Sequence, residues 1–309
     1  MSAGALTAAI ATFLAGRDAG TLRDIRAALD REIAAAGPDA FARLTQRLAD
    51  EGADWTFYPS DPLARRIHHL LAGWLVPHDS AIFGIEHLAA VEGRPLVIIA
   101  NHLSYSDANL LEVLLHRAGA DALGDRLTVI AGPKVYSDVK RRFSSLCFGT
   151  IKMPQSHALS TDEAVMDPRE AARAARRGID IAHERIRLGD ALLVFAEGTR
   201  SRTRGMQPML AGVTRYLDVP GTYVLPIGLT GADAWYPIGE EVLYPVRIVA
   251  RIGAPIEARV LRERAGGDRR LMMDAVGLAV AEQLPPEYRG AYADDVGDLD
   301  DARRLASSA

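Results

Sequence analysis

The 309-residue sequence has one cysteine, no marked excess of either charge and no long uncharged apolar run. A lone Cys147 forms no intrachain disulfide and no cysteine cage for zinc, which points to a reducing compartment, and its apolar neighbours mark it as a buried small side chain rather than a nucleophile. Thirty-six Lys and Arg against 40 Asp and Glu leave a net charge of −4 and a pI near 6.1. Without a global basic field, any anion must be held by a local cluster. Trp55, Trp74 and Trp235 show no repeated basic–aromatic pattern, so no nucleic acid is expected. The eight His are scattered; neither His68-His69 nor His102 with His116 makes a metal constellation, and no metal is expected. No charged side chain precedes Arg17, which inverts the order of a secretory signal and reads as an Ala-rich helix. Nowhere do about eighteen residues run apolar and uncharged, the length a spanning helix needs. The longest later uncharged stretch, Val219 to Ala232, is broken by Pro220, Gly221, Pro226, Gly228 and Gly231. A cytoplasmic chain is the expectation. Gly-x-Ser-x-Gly, the nucleophile elbow of many hydrolases, is also missing.

What is present is an ordinary globular composition, 49% hydrophobic and 25% charged, ample for a core. Residues 1–75 carry few strand signals and read as a helical N-terminal subdomain, with helices over Thr21–Ala36, stopped by Gly37-Pro38, and Asp39–Glu51, stopped by Gly52. Short apolar runs then alternate with helical stretches: Pro95–Ala100, Arg126–Ala131, Ala191–Ala196, Thr222–Gly228 and Pro245–Arg251. This alternation predicts an α/β domain over 76–290, a mixed, largely parallel sheet flanked by helices, with its longest helix over Pro168–Leu188. Residues 291–309, with five Asp between Ala293 and Asp301, read as a flexible acidic tail. From Leu63 to Leu75 apolar residues fall at helical spacing with Arg65, Arg66, His68 and His69 among them. Such a stripe either packs on the sheet domain as core or lies in a membrane interface.

Two clusters carry chemistry. The first strand runs into Asn101-His102-Leu-Ser-Tyr-Ser-Asp107 and then a helical run, and ligands of open α/β sheets bind at such strand ends. On a continuous helix His102 and Asp107 would point about 140° apart, so they meet only if the chain turns between them. With Ser104 or Ser106 as helix cap, Asp107 could accept from the His102 ring and leave its other nitrogen as a base. The second cluster is Glu197-Gly198-Thr199-Arg200-Ser201-Arg202-Thr-Arg204, directly after strand Ala191–Ala196. Guanidinium forks suit phosphate, and Gly198 lets backbone approach it closely; Arg204 could as well be solvated. Between Lys134 and Lys152 the net charge is +4, a patch suited to coenzyme A phosphates, an acidic carrier-protein helix or anionic lipid heads, or simply a solvated helix face.

Together, Asn101-His102 with Asp107 and, some ninety residues on, Phe195 to Arg202 resemble the paired signature of the glycerolipid acyltransferases, which include the glycerol-3-phosphate and 1-acylglycerol-3-phosphate enzymes. Gly132-Pro133-Lys134, Phe148 to Lys152 and Val224 to Gly228 match further blocks more loosely, and the resemblance covers roughly residues 80 to 235. Three features depart from the pattern: Ala196 replaces the usual Pro, Ala211-Gly212 replaces a common Lys-Gly pair and so removes a cation, and Pro154–Pro168 reads as an insertion. The resemblance implies acyl transfer from acyl-CoA or acyl-carrier protein to 1-acylglycerol-3-phosphate, with glycerol-3-phosphate or another lysophospholipid as alternative acceptors, no cofactor, and a place in phospholipid biosynthesis. His102 would be the general base and Asp107 its orienting partner. Arg200, Arg202 and Lys152 would bind phosphate, and Glu197, Gly198 and Thr199 would shape the pocket. A lysolipid acceptor implies peripheral docking at the inner face of the membrane. A catalytically silent lipid-binding module on the same fold is the reading from a different class.

Overall fold

The computed structural model describes Leu6, Ile10, Leu14 and residues 16–154, 167–240 and 242–306. Most of the Ala-rich start and of the insertion-like stretch Pro154–Pro168 therefore lies outside the described residues. The longer elements, in chain order, are α1 (Ala19–Ala36), α2 (Pro38–Ala49), β1 (Phe57–Tyr58), α3 (Pro62–Leu75), β2 (Ala81–Phe83), β3 (Leu96–Ala100), α4 (Asp107–Arg117), β4 (Leu127–Ala131), α5 (Val139–Ser145), β5 (Gly149–Lys152), α6 (Pro168–Arg187), β6 (Ala191–Phe195), β7 (Tyr223–Thr230), β8 (Val249–Ile252), β9 (Ile256–Glu257), α7 (Ala258–Arg264), α8 (Arg269–Ala281) and α9 (Asp300–Ala306).

Aspartates set where several helices begin. Asp18, Asp61, Asp167 and Asp268 each precede a helix and accept hydrogen bonds from two N–H groups of its first turn. Gly37, at φ 82°, ends α1 in a conformation that disfavours a side chain, and Pro38 opens α2 at once. On α6, Ala174, Gly178, Ala182 and Ile186 form the buried face. Gly178 lets Met153 pack closely there, since a Cβ would lie 2.0 Å from the Met153 sulfur and that side chain would have to shift.

Among the described residues, nine strands form one sheet in the order β1-β5-β4-β6-β3-β7-β8-β2, with β9 paired to β7. Neighbours from β5 through to β7 are parallel, while β1, β8 and β9 pair antiparallel with β5, β7 and β7. All five residues of β3 are buried, as befits a parallel strand covered on both faces. The fold is thus the mixed, largely parallel α/β sheet that the alternation predicts. It gains β5, which the sequence reading left without a strand, and β8 begins at Val249, later than Pro245.

One hydrophobic core runs from Leu6 and Ile10 through α1–α3 and the sheet to Leu305. The α3 stripe belongs to it: Leu63, Ala64, Ile67, Leu71, Ala72 and Leu75 are buried, and only Trp74, 39% exposed, shows a large apolar face. Burying each Leu or Ile contributes roughly 1.5–3 kcal/mol, which ties the N-terminal helices to the sheet. Trp235 adds a hydrogen bond from its indole N–H to the Leu75 carbonyl, 3.1 Å. The acidic C-terminal stretch differs from the expected flexible tail. Residues 300–306 form α9, whose Ala302 and Leu305 are buried against the core, because apolar residues recur among the Asp at helical spacing. Among the described residues no helix is long and apolar enough to cross a membrane.

Candidate active site

Strand register builds the site. Ala100 at the end of β3 pairs with Phe195 at the end of β6, so the residues that follow each strand emerge side by side. His102 and Glu197 therefore lie two residues beyond a shared rung, and the His102 backbone N–H donates to Glu197 Oε1 at 2.8 Å. The other oxygen, Oε2, accepts from the Gln207 N–H at 2.7 Å. Asn101 clamps the other flank: its side-chain amide donates to the Leu229 carbonyl (2.9 Å) and its oxygen accepts from the Leu229 N–H (2.7 Å), tying the loop to β7.

The chain does turn between His102 and Asp107, but the capping runs opposite to the expectation. Ser106 precedes α4 without a side-chain cap bond. Instead the buried Asp107 carboxylate reaches back into the loop and accepts from the Leu103 N–H (2.6 Å), the Ser104 N–H (3.0 Å) and the Ser104 hydroxyl (3.0 Å). The physical reason is that a carboxylate buried at a helix start needs donors, and a tight loop supplies consecutive N–H groups. Its Oδ2 also lies 2.8 Å from His102 Nδ1. This fixes Nδ1 as the protonated nitrogen opposite a carboxylate and leaves Nε2, which has no protein partner among the described residues, as the basic one. The ring is further held by stacking on Phe195, centroids 4.3 Å apart.

Glu197 sits in a different electrostatic situation. Burial raises its carboxyl to about 7, and the two backbone N–H donors only partly offset that cost. Gly198 follows at φ 73°, a left-handed position that turns the chain away from β6. Thr199 is half-buried, and the next residue, Arg200, lays its guanidinium 3.6 Å from the centroid of the Tyr105 ring. Burial also pulls the Arg200 pKa down. Arg202 is exposed and lines an open cleft with Leu103, Ser201 and Arg204. Arg204 is more than a solvated side chain, for its Nε lies 3.4 Å from Asp233 Oδ2 and its backbone is held at φ 62°.

Lys152 does not join the arginines. It ends β5, on the far side of β4 from β6, and its ammonium binds the Gly52 carbonyl and lies 4.6 Å from the Trp55 centroid. A buried ammonium takes the nearest acceptor, and α2's connection to β1 supplies it. The +4 patch disperses in the same way, since Arg142 donates to the Leu48 and Tyr136 carbonyls. Arg141, which the sequence places only within that patch, lays its guanidinium 4.1 Å from the same Tyr105 centroid. Both residues stood in segments already singled out, yet nothing in the spacing foretold that one ring would gather two arginines. Cys147 is buried, its thiol pushed well up by burial. Among the described residues no group of three or more His, Cys, Asp or Glu is placed to hold a metal ion.

The Acyltransferase family pattern matches residues 81–230, which contain His102, Asp107, Glu197, Arg200 and Arg202. A chloroplastic 1-acyl-sn-glycerol-3-phosphate acyltransferase of Brassica napus is 25% identical over 187 residues, 59% of this chain and 47% of that protein. The chain thus spans about half the length of that curated relative. The solved 1-acyl-sn-glycerophosphate acyltransferase PlsC of Thermotoga maritima aligns over 63% of this chain and 68% of its own, with 19% identity and a TM-score of 0.44. The family pattern lies across the sheet and both loops, and over that stretch the chain is similar to the glycerolipid acyltransferases.

Proposed function

We propose that this protein is an acyltransferase that moves a fatty acyl chain from acyl-CoA or acyl-carrier protein to the free hydroxyl of 1-acylglycerol-3-phosphate, with His102 as general base. The observation that carries the reading is the 2.8 Å contact between His102 Nδ1 and the buried Asp107 at the end of a parallel strand, where Nε2 is left for a substrate. In this reading the acceptor oxygen attacks the thioester carbonyl carbon as Nε2 takes its proton. The carbon–sulfur bond then breaks, and the departing thiolate takes the proton from the imidazolium. Asp107 stabilises that imidazolium, and no acyl-enzyme, metal or cofactor enters. Glu197 holds the His102 backbone from β6, Gly198 and Thr199 shape the turn, and Arg200 and Arg202 bind the acceptor's phosphate. Lys152, engaged with Gly52 and Trp55, serves the wall of the fold instead. A lysolipid acceptor places the reaction in phospholipid biosynthesis, in a cytoplasmic protein docked peripherally on the membrane.

The test is thiol release from palmitoyl-CoA by purified protein, with 1-acylglycerol-3-phosphate, glycerol-3-phosphate and a lysophosphatidylcholine in separate reactions. Release that depends on the first acceptor is expected. Release that depends on lysophosphatidylcholine alone would overturn the phosphate assignment, and release with glycerol-3-phosphate alone would move the chain to the earlier acylation. Silence with all three, repeated with acyl-carrier-protein donors, would favour the lipid-binding module.

A further inference from the structure

Arg141 and Arg200 come from loops on different strands and meet at one aromatic ring. The order β4-β6-β3 places the loop carrying Arg200 between the segment after β4, which carries Arg141 on α5, and the loop after β3, which carries Tyr105. Their guanidinium carbons lie 4.1 and 3.6 Å from the Tyr105 centroid. Arg141 is aimed by a hydrogen bond from one terminal nitrogen to the Lys134 carbonyl, 3.2 Å. Neither guanidinium is ion-paired to a carboxylate among the described residues, although both are at least partly withdrawn from water; the Asp107 charge that acts on Arg200 is itself engaged by His102 and the loop N–H groups. Arg141 and Arg200 repel one another at this ring, and an anion that takes a fork from each would relieve that cost. Lys152 is committed to Gly52 and does not join the two arginines.

We infer that Arg141, with Arg200, binds the phosphate of the acyl acceptor, and that Tyr105 is the positioning residue on which both guanidiniums rest. The inference rests on the proposed acceptor class. It selects the acceptor's phosphate over those of coenzyme A on chemical grounds. In a 1-acylglycerol-3-phosphate the phosphate is carried by the carbon next to the attacking hydroxyl, and Tyr105 is three residues from His102. The phosphates of coenzyme A lie at the far end of the pantetheine arm from the thioester.

The experiment is isothermal titration of wild-type protein, Arg141→Gln, Arg141→Lys, Tyr105→Phe and Tyr105→Leu with 1-hexanoylglycerol-3-phosphate and with phosphate-free 1-hexanoylglycerol, beside steady-state kinetics. Circular dichroism confirms that each variant folds. Arg141→Gln is expected to weaken the phosphorylated probe about ten-fold, as loss of a charge-assisted contact does, and to leave the phosphate-free probe unchanged. Arg141→Lys should recover part of the loss, Tyr105→Phe should bind as wild type, and Tyr105→Leu should weaken the phosphorylated probe alone. In kinetics the KM for the phosphorylated acceptor rises while that for palmitoyl-CoA stays. Undiminished binding by Arg141→Gln, no binding by wild type, or a rise confined to the palmitoyl-CoA KM would each overturn the inference. Arg141-dependent binding without any acyl transfer would leave it standing and sink the proposed function instead.

Discussion

Helix α4 carries two buried carboxylates, Asp107 and Glu112, and each meets a histidine at 2.8 Å, yet the two places are built for different ends. Asp107 gathers its other hydrogen bonds from the loop N–H groups beside it and touches His102 through Nδ1, so Nε2 stays available at the strand ends. Glu112 spends both oxygens on His69 Nε2 (2.8 and 2.9 Å) and also accepts from Arg65 Nε (2.8 Å). The His69 ring is then covered by His116, stacked at 3.9 Å, which pairs in turn with Asp121. Burial would raise Glu112, but the His69 hydrogen bond and the charges of His68, His69 and Arg65 outweigh it and hold the carboxyl below the usual range. Arg65, His68 and His69 come from α3, so this cluster is a strut that fastens the N-terminal helices to the sheet domain. A histidine on a buried carboxylate is therefore no sign of catalysis by itself. The free nitrogen and its place at the strand ends make the difference.

That contrast breaks most sharply through Asp107→Asn. It should lower kcat by about 10²- to 10⁴-fold, the range for losing general-base function, with acceptor KM little changed; equal activity would erase the distinction between the two sites. Glu112→Gln strips the counter-charge from a buried network and should cost about 3–5 kcal/mol in denaturant unfolding while kcat of the folded fraction holds. A large fall in kcat there would make the strut part of the catalytic machinery. Glu197→Gln sharpens the picture through pH. Because the folded chain binds the Glu197 proton more tightly than the unfolded chain, its contribution is full below pH 4.5 and is lost as pH rises towards about 7. Wild-type stability relative to the variant should fall by about 3 kcal/mol across that window, and a flat difference would refute the raised value. The smallest effect belongs to His116→Ala, which removes a half-exposed partner from the strut and should cost only about 0.5 kcal/mol.

The parts of the molecule legible in its sequence are those whose physics is local. Strands β3, β4 and β6 read as continuous apolar runs because parallel strands are covered on both faces, and α1, α2 and α6 announce their ends with Asp, Pro and Gly. Strand β5 does not: it is four residues long with Gly149 and Lys152 at its ends, and it buries Thr150 by pairing that hydroxyl with Tyr136, 2.9 Å away. The site divides along the same line. His102, Asp107, Glu197 and Arg200 are readable as strand-end residues because they follow continuous apolar runs, and the strand register then brings the two ends together. The reverse cap made by Asp107, the diversion of Lys152 to Gly52 and the meeting of Arg141 with Arg200 are decided by loops that become neighbours only once the strand order is set. Residues 291–306 erred in the opposite direction, since five Asp hid Leu299, Ala302 and Leu305, which are buried in the folded chain.

The most direct measurement compares His102→Ala with His69→Ala for acceptor-dependent thiol release from palmitoyl-CoA, at protein concentrations corrected for the folded fraction. The account predicts that His102→Ala loses about 10²- to 10⁴-fold in rate with its fold intact, whereas His69→Ala keeps wild-type turnover and loses stability. Near-wild-type release by His102→Ala would contradict it.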